Sequence, residues 1–140
     1  DDTGVFTIKY RVEAFDGTVY VADSATATTA STVTGTSISA VLYLLDEAGT
    51  ATTADASALV TYTTGNGASD SSNSNIALSD GESTEVTLTI NRTNSGDSVD
   101  DGLYRALLKA IGWNTGDSAS VFNIYNFDLE DFKTDPVSLN

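Results

Sequence analysis

The sequence has no cysteine, no histidine and no methionine, a single proline, and only 6 basic residues among its 140. Each shortage removes a class of chemistry. Without cysteine there is no disulfide, no thiolate nucleophile and no thiolate metal site. Without histidine the commonest general base and metal ligand near neutral pH is gone. Serine catalysis then has nothing to activate its hydroxyl, and no G-x-S-x-G elbow is present. No apolar run approaches the length of about 18 residues that a membrane-spanning helix needs. The 20 acidic residues outweigh the 6 basic ones to give a formal net charge of −14. Such a surface repels phosphate backbones and anionic lipid headgroups and attracts cations, so nucleic acid is not an expected partner. The first residue is Asp1 rather than Met. Together with a Thr- and Ser-rich, Lys-poor composition, this leads us to expect a secreted or cell-surface protein whose signal peptide has been removed.

What is present is β-forming. Hydrophobic residues make up 40% of the chain, with Tyr 6, Phe 5 and Trp 1, enough apolar material to bury a core. The length suits a single domain over residues 1–140. Residues 5–15, VFTIKYRVEAF, alternate without a break. Phe6, Ile8, Tyr10, Val12 and Ala14 fall on one face and Thr7, Lys9, Arg11 and Glu13 on the other, the period of a half-buried strand.

Asp16-Gly17 is a turn signal, and residues 18–22 resume the alternation. Residues 23–35, mostly Ala, Thr, Ser and Val, read as a loop or a weak edge strand. Residues 37–45 are apolar on both faces, as a central strand covered on both sides would be. Further strands are expected over 58–64, 75–79, 84–91 and 120–127, separated by Gly, Asp and Asn turns. Residues 103–111 are ambiguous. Leu103, Leu107, Leu108 and Ile111 sit at helical spacing, while Tyr104, Ala106, Leu108 and Ala110 alternate; strand neighbours and bounding glycines favour a strand. About seven to nine short strands amount to an antiparallel sandwich or barrel.

GESTEVTLTIN, residues 81–91, followed by DGLYRALL, residues 101–108, resembles immunoglobulin-like β-sandwich modules of bacterial and archaeal surface and filament proteins. The resemblance covers about half the chain. It implies an all-β, antiparallel immunoglobulin-like sandwich acting as an assembly module, and no catalytic residue comes with it.

Several constellations carry chemistry worth locating. Asp97, Asp100 and Asp101 crowd one turn, and Asp128, Glu130, Asp131 and Asp135 crowd the C-terminal segment. Hard oxygens on loops suit Ca²⁺, although neither cluster has EF-hand spacing, and solvated loop charge explains both more simply. Trp113, Tyr104, Tyr125 and Tyr20 are candidates for a sugar-stacking platform, against the commoner role of aromatics as core residues. Asn91-Arg92-Thr93 is an N-glycosylation sequon at an expected strand end. Lys9 with Asn123 or Asn126 has the chain order of an isopeptide cross-link, but Lys9 falls on the polar face of its strand.

The reading that remains is non-enzymatic: a structural subunit of an extracellular filament or surface assembly, binding copies of itself by strand donation or sheet-edge pairing. Residues 5–15, and less strongly 127–140, are the candidate exchanged strands, the latter weakened by Pro136. The alternative is a cell-surface adhesin or carbohydrate-binding sandwich. No cofactor is required, with calcium the one candidate ligand.

Overall fold

The computed structural model describes residues 2–30, 39–53, 55–63, 68–71, 73, 75–93, 101–117, 123–127 and 131–140. Among them are twelve strands: β1 (Thr3–Glu13), β2 (Val19–Ala22), β3 (Ser24–Ala27), β4 (Ser39–Leu45), β5 (Ala51–Thr52), β6 (Ala56–Tyr62), β7 (Ser69–Asp70), β8 (Asn75–Leu78), β9 (Ser83–Thr93), β10 (Gly102–Asn114), β11 (Asn123–Asn126) and β12 (Val137–Leu139). They form two sheets. The smaller has the order β1-β9-β6, and the larger runs β3-β4-β10-β2-β8-β7, with β11 and β12 added on β10 and β5 on β4. Pairing is antiparallel except between β3 and β4. The fold is therefore all-β, with the two sheets face to face over a shared core.

β1 follows its alternation for 11 residues and pairs with β9 from Thr3↔Thr93 to Glu13↔Ser83 without a register shift. Phe6 and Ile8 are buried, Tyr10 and Val12 pack against the same core, and Ala14 is fully covered just past the strand. The apolar row thus fills its own chain. From β9 the core receives Val86, Leu88 and Ile90, and from β6 it receives Val60. β6 lies over β3, β9 and β6 over β4, and β1 over β10 and β12.

The segment that was ambiguous on periodicity is a strand, and its pairing explains the ambiguity. β10 pairs with β4 in simple register up to Leu108↔Leu42 and then shifts, so that Ala110 faces Val41. Ala106 and Leu108 meet the core before the shift and Ile111 meets it afterwards. One extra residue in a strand exchanges its faces, which breaks the period of two. Leu107, on the other face, is also fully buried, beside Val41 and Tyr43. The hydroxyl of Tyr43 donates to the Ala30 carbonyl, and the Lys109 ammonium stands 5.9 Å from the Tyr43 ring. β4 and β10 are covered on both faces, as the doubly apolar run 37–45 predicts.

The weak segment after residue 23 contains the short edge strand β3, paired parallel to β4. The C-terminal residues form an interrupted strand along the β10 edge opposite β4. β11 pairs with Ala110–Trp113, Lys133 bridges to Leu107, and β12 pairs with Gly102–Tyr104. Leu139 locks this strand to β1. A Cβ on Gly4 would stand 3.1 Å from its Cδ2 atom, so glycine there permits the close approach.

Candidate functional site

The two sheets differ in width where they overlap. The large sheet presents β3, β4, β10 and the C-terminal strand side by side; the small sheet covers the first three with β6, β9 and β1 and reaches only the β12 part of the fourth. β1 pairs with β9 on one edge and with no other described strand. Beside it, over residues 131–135, the described residues leave a groove.

Thr7, Ile8 and Lys9 on one side and residues 131–135 on the other line this groove, a space of about 420 Å³. Phe132 and Thr134 are half-buried, while Asp131, Lys133 and Asp135 are exposed at the rim. Phe132 meets Phe127 edge to face at 4.9 Å, and Phe127 meets Tyr125 at 5.0 Å. This aromatic row runs along the C-terminal strand, and Tyr125 at its end is 57% exposed. The carboxylates of Asp131 and Asp135 make no ion pair or hydrogen bond among the described residues. The cations of β1 are engaged: Lys9 Nζ lies 3.4 Å from Glu85, and Arg11 lies 3.3 Å from Glu13 and 3.1 Å from the Ser83 hydroxyl.

Edges of this kind are usually guarded by prolines, bulges or inward-pointing charges. β1 has no proline and no bulge, but it carries Lys9, Arg11 and Glu13 on its solvent face, charges of the kind that blunt an edge. The opposite edge, β6, reads ASALVTY, without charge, glycine or proline, and carries Leu59 at 57% exposure.

Two further recesses are smaller. One of about 320 Å³ lies at the turn after β4, lined by Asp46, Glu47, Arg105 and Lys133 among others. The other, about 200 Å³, lies among Arg11, Ser83, Thr84 and Glu85.

Of the residues singled out from sequence, Asp97 and Asp100 lie outside the described residues, as do Asp128 and Glu130. Asp101 is exposed just before β10. Among the described residues no group of three or more acidic side chains is placed to hold a metal ion. The aromatic platform is not assembled. Tyr104 is buried beneath Arg92, whose guanidinium carbon sits 4.2 Å from the ring centre and whose Nη2 donates to the Tyr104 hydroxyl at 3.2 Å. Trp113 pairs with Val21 and Tyr20 with Asn114, which puts Trp113 and Tyr20 on opposite faces of the sheet. Asn91 is half-buried on the outer face of the central strand β9, between Val5 and Ser57, rather than at a strand end. Lys9 is exposed and paired with Glu85, and Asn123 and Asn126 are exposed on β11 of the other sheet, so none of the three has the buried setting a cross-link needs.

Sequence reasoning missed two polar features. Arg92 is 1% exposed. The alternation Val86, Leu88, Ile90, Arg92 already points it inward, a signal that its charge obscures. The second feature ties loop 71–75 to the end of β10. Asp117 Oδ1 accepts from the Ser71 hydroxyl at 2.8 Å and from Asn75 Nδ2 at 3.0 Å, and its carbonyl accepts from Asn73 Nδ2 at 3.0 Å. Tyr10 also carries its hydroxyl into the core with no hydrogen-bond partner among the described residues, and burial pushes that phenol well above the ordinary tyrosine pKa.

No protein-family model, no curated protein and no solved structure matches the chain. The functional reading therefore rests on the chain's own geometry.

Proposed function

We propose that the chain is a non-enzymatic structural module of an extracellular filament or surface assembly, joined to its neighbours by β-strand pairing at the free edges of its small sheet. The observation that supports this reading is the condition of that sheet. Its two outer strands, β1 over 11 residues and β6 over 7, each leave an unpaired edge among the described residues, and that of β6 carries no charge. An unpaired edge offers a row of N–H and C=O groups that a partner strand satisfies in full, with alternate side chains to fix its register.

For contact between whole copies, β6 is the suitable edge. An antiparallel β6 pair centred on Leu59 sets Leu59 against Leu59 and Ser57 against Thr61, with no like charges opposed. The resemblance to immunoglobulin-like surface modules points the same way, as does the extracellular character of the composition. Because β1 supplies Phe6 and Ile8 to its own core, removing residues 1–15 would unfold the chain rather than only block assembly. The informative variants leave the core alone. In sedimentation velocity of concentrated protein, the wild type is expected to form the β6-paired dimer from which a larger assembly would be built, and Leu59→Lys to lose it. A wild type that stays monomeric at every concentration would refute the proposal.

A further inference from the structure

The strands on the β6 side of the sandwich carry no charge, on a chain of net charge −14. None of the 20 acidic and 6 basic residues falls in 24–45 or 56–69, the segments that contain β3, β4 and β6. β3 lies beneath β6 and closes the large sheet on that side, as β6 closes the small one. Its four residues, SATA, include no proline or charge, and it pairs with β4 without a bulge, so nothing guards its outer edge among the described residues. Ala25 packs on the core, while Ser24 and Thr26 are exposed.

Symmetry decides what lies beneath a β6 pair. Two copies that join β6 to β6 antiparallel are related by a two-fold axis along the sheet normal, which makes the contact isologous. That axis keeps both large sheets on the same side of the joined small sheets. Because β3 lies beneath β6, the β3 edge of one copy then meets the β3 edge of the other, also antiparallel. The main chain is available there. Thr28 donates its N–H to the Leu42 carbonyl on β4 at 3.0 Å. Successive strand residues alternate sides, so the N–H groups of Ala25 and Ala27 point away from β4 toward the open edge. On the small sheet Thr63 donates to the Glu85 carbonyl of β9 at 3.1 Å, and the same alternation turns the N–H groups of Ala58 and Val60 outward.

We infer that this side receives a second copy of the chain at both layers, β6 against β6 and β3 against β3, so that the two sandwiches run on as one. The inference rests on the β6 pairing proposed above and adds the β3 edge to it. A basic partner finds no carboxylate on these strands, whereas a second copy presents the same uncharged edges at the same spacing between layers. A chain this acidic repels its own copies, and strands without charge are where two copies approach with least opposition. The small side chains of β3 let the second layer close.

The test uses the full chain. Hydrogen exchange is compared between dilute and concentrated wild type, where the β6 pair slows the amides of Ala58 and Val60. The two-layer contact slows those of Ala25 and Ala27 along with them. Thr26→Lys, an exposed change on β3, weakens dimerisation about tenfold in sedimentation velocity, because the pair brings the two new lysines together. Thr7→Lys, exposed on β1, does not weaken it. Net charge alone would have both lysines ease the repulsion alike. Slowing at Ala58 and Val60 without slowing at Ala25 and Ala27 would overturn the inference and leave the β6 pair standing. A dimer indifferent to Thr26→Lys, or weakened equally by Thr7→Lys, would do the same. A wild type that never dimerises removes the β6 pair and this inference with it.

Discussion

Tyr10 and Arg92 both carry polar groups into the core between the sheets, and they differ in how well they are accommodated. The phenol of Tyr10 has no partner, so the structure bears the desolvation of a hydroxyl without a compensating bond. Tyr10→Phe is therefore expected to keep or raise stability, by up to about 1 kcal/mol in urea unfolding. The pH dependence has a definite sign. A folded-state pKa above the unfolded one favours the folded protein fully below the ordinary tyrosine value of about 10, and that contribution declines as pH climbs above it. Alkaline unfolding should accordingly be less steep in Tyr10→Phe than in the wild type. Arg92 is stacked on Tyr104 and bonded to its hydroxyl. Arg92→Ala removes a large buried side chain and leaves that hydroxyl exposed to a void, and should cost about 3 kcal/mol. Arg11→Ala, on the exposed face, should change stability by less than about 0.5 kcal/mol. Equal effects of the two changes in denaturant titrations would contradict the burial assigned to Arg92.

Among the elements, the loop before β8 depends most on a few bonds. Asp117 accepts from Ser71 and Asn75, and Asn75 is fully buried. Asp117→Ala leaves the Asn75 amide without its acceptor and should cost about 1–3 kcal/mol. Native-state hydrogen exchange should show the loss as faster exchange at Ser71 and Asn75, while the β1–β9 ladder stays protected; uniform loss across both sheets would show that the bonds are not local in effect. This cluster was illegible in the sequence because Asp117 stands 42 residues from Asn75, in a turn whose composition signals only solvated loop. The strands were legible where one face meets water, as in β1, β6 and β9, because burial then imprints a period of two. β10 was half legible, since the register shift past Leu108 and the burial of Leu107 on its second face erase that period. The parallel pairing of β3 had no local signal, as strand direction is set by the connection and not by composition. The apolar row of β1 announced a groove, and only the tertiary arrangement reveals that its own chain fills that groove.

For the whole molecule, charge and sheet edges act together. A net charge of −14 on 140 residues opposes both compaction and the approach of copies. Raising NaCl from about 0.01 to 0.5 M shortens the screening length from about 30 Å to a few ångströms. Thermal unfolding should therefore move upward with salt, and self-association should strengthen; an unfolding temperature that falls with salt would contradict this electrostatic picture. Pairing at the uncharged β6 in particular strengthens as repulsion between copies is screened. The claim on which the rest depends is that the free edges of the small sheet join one chain to another. Sedimentation velocity across a concentration series, run on the wild type and on Leu59→Lys in the same moderate salt, tests it most directly. The account predicts that the wild type shifts from monomer to dimer as concentration rises while Leu59→Lys remains a folded monomer. A wild type that sediments as a monomer throughout, or a variant that assembles as the wild type does, would contradict it.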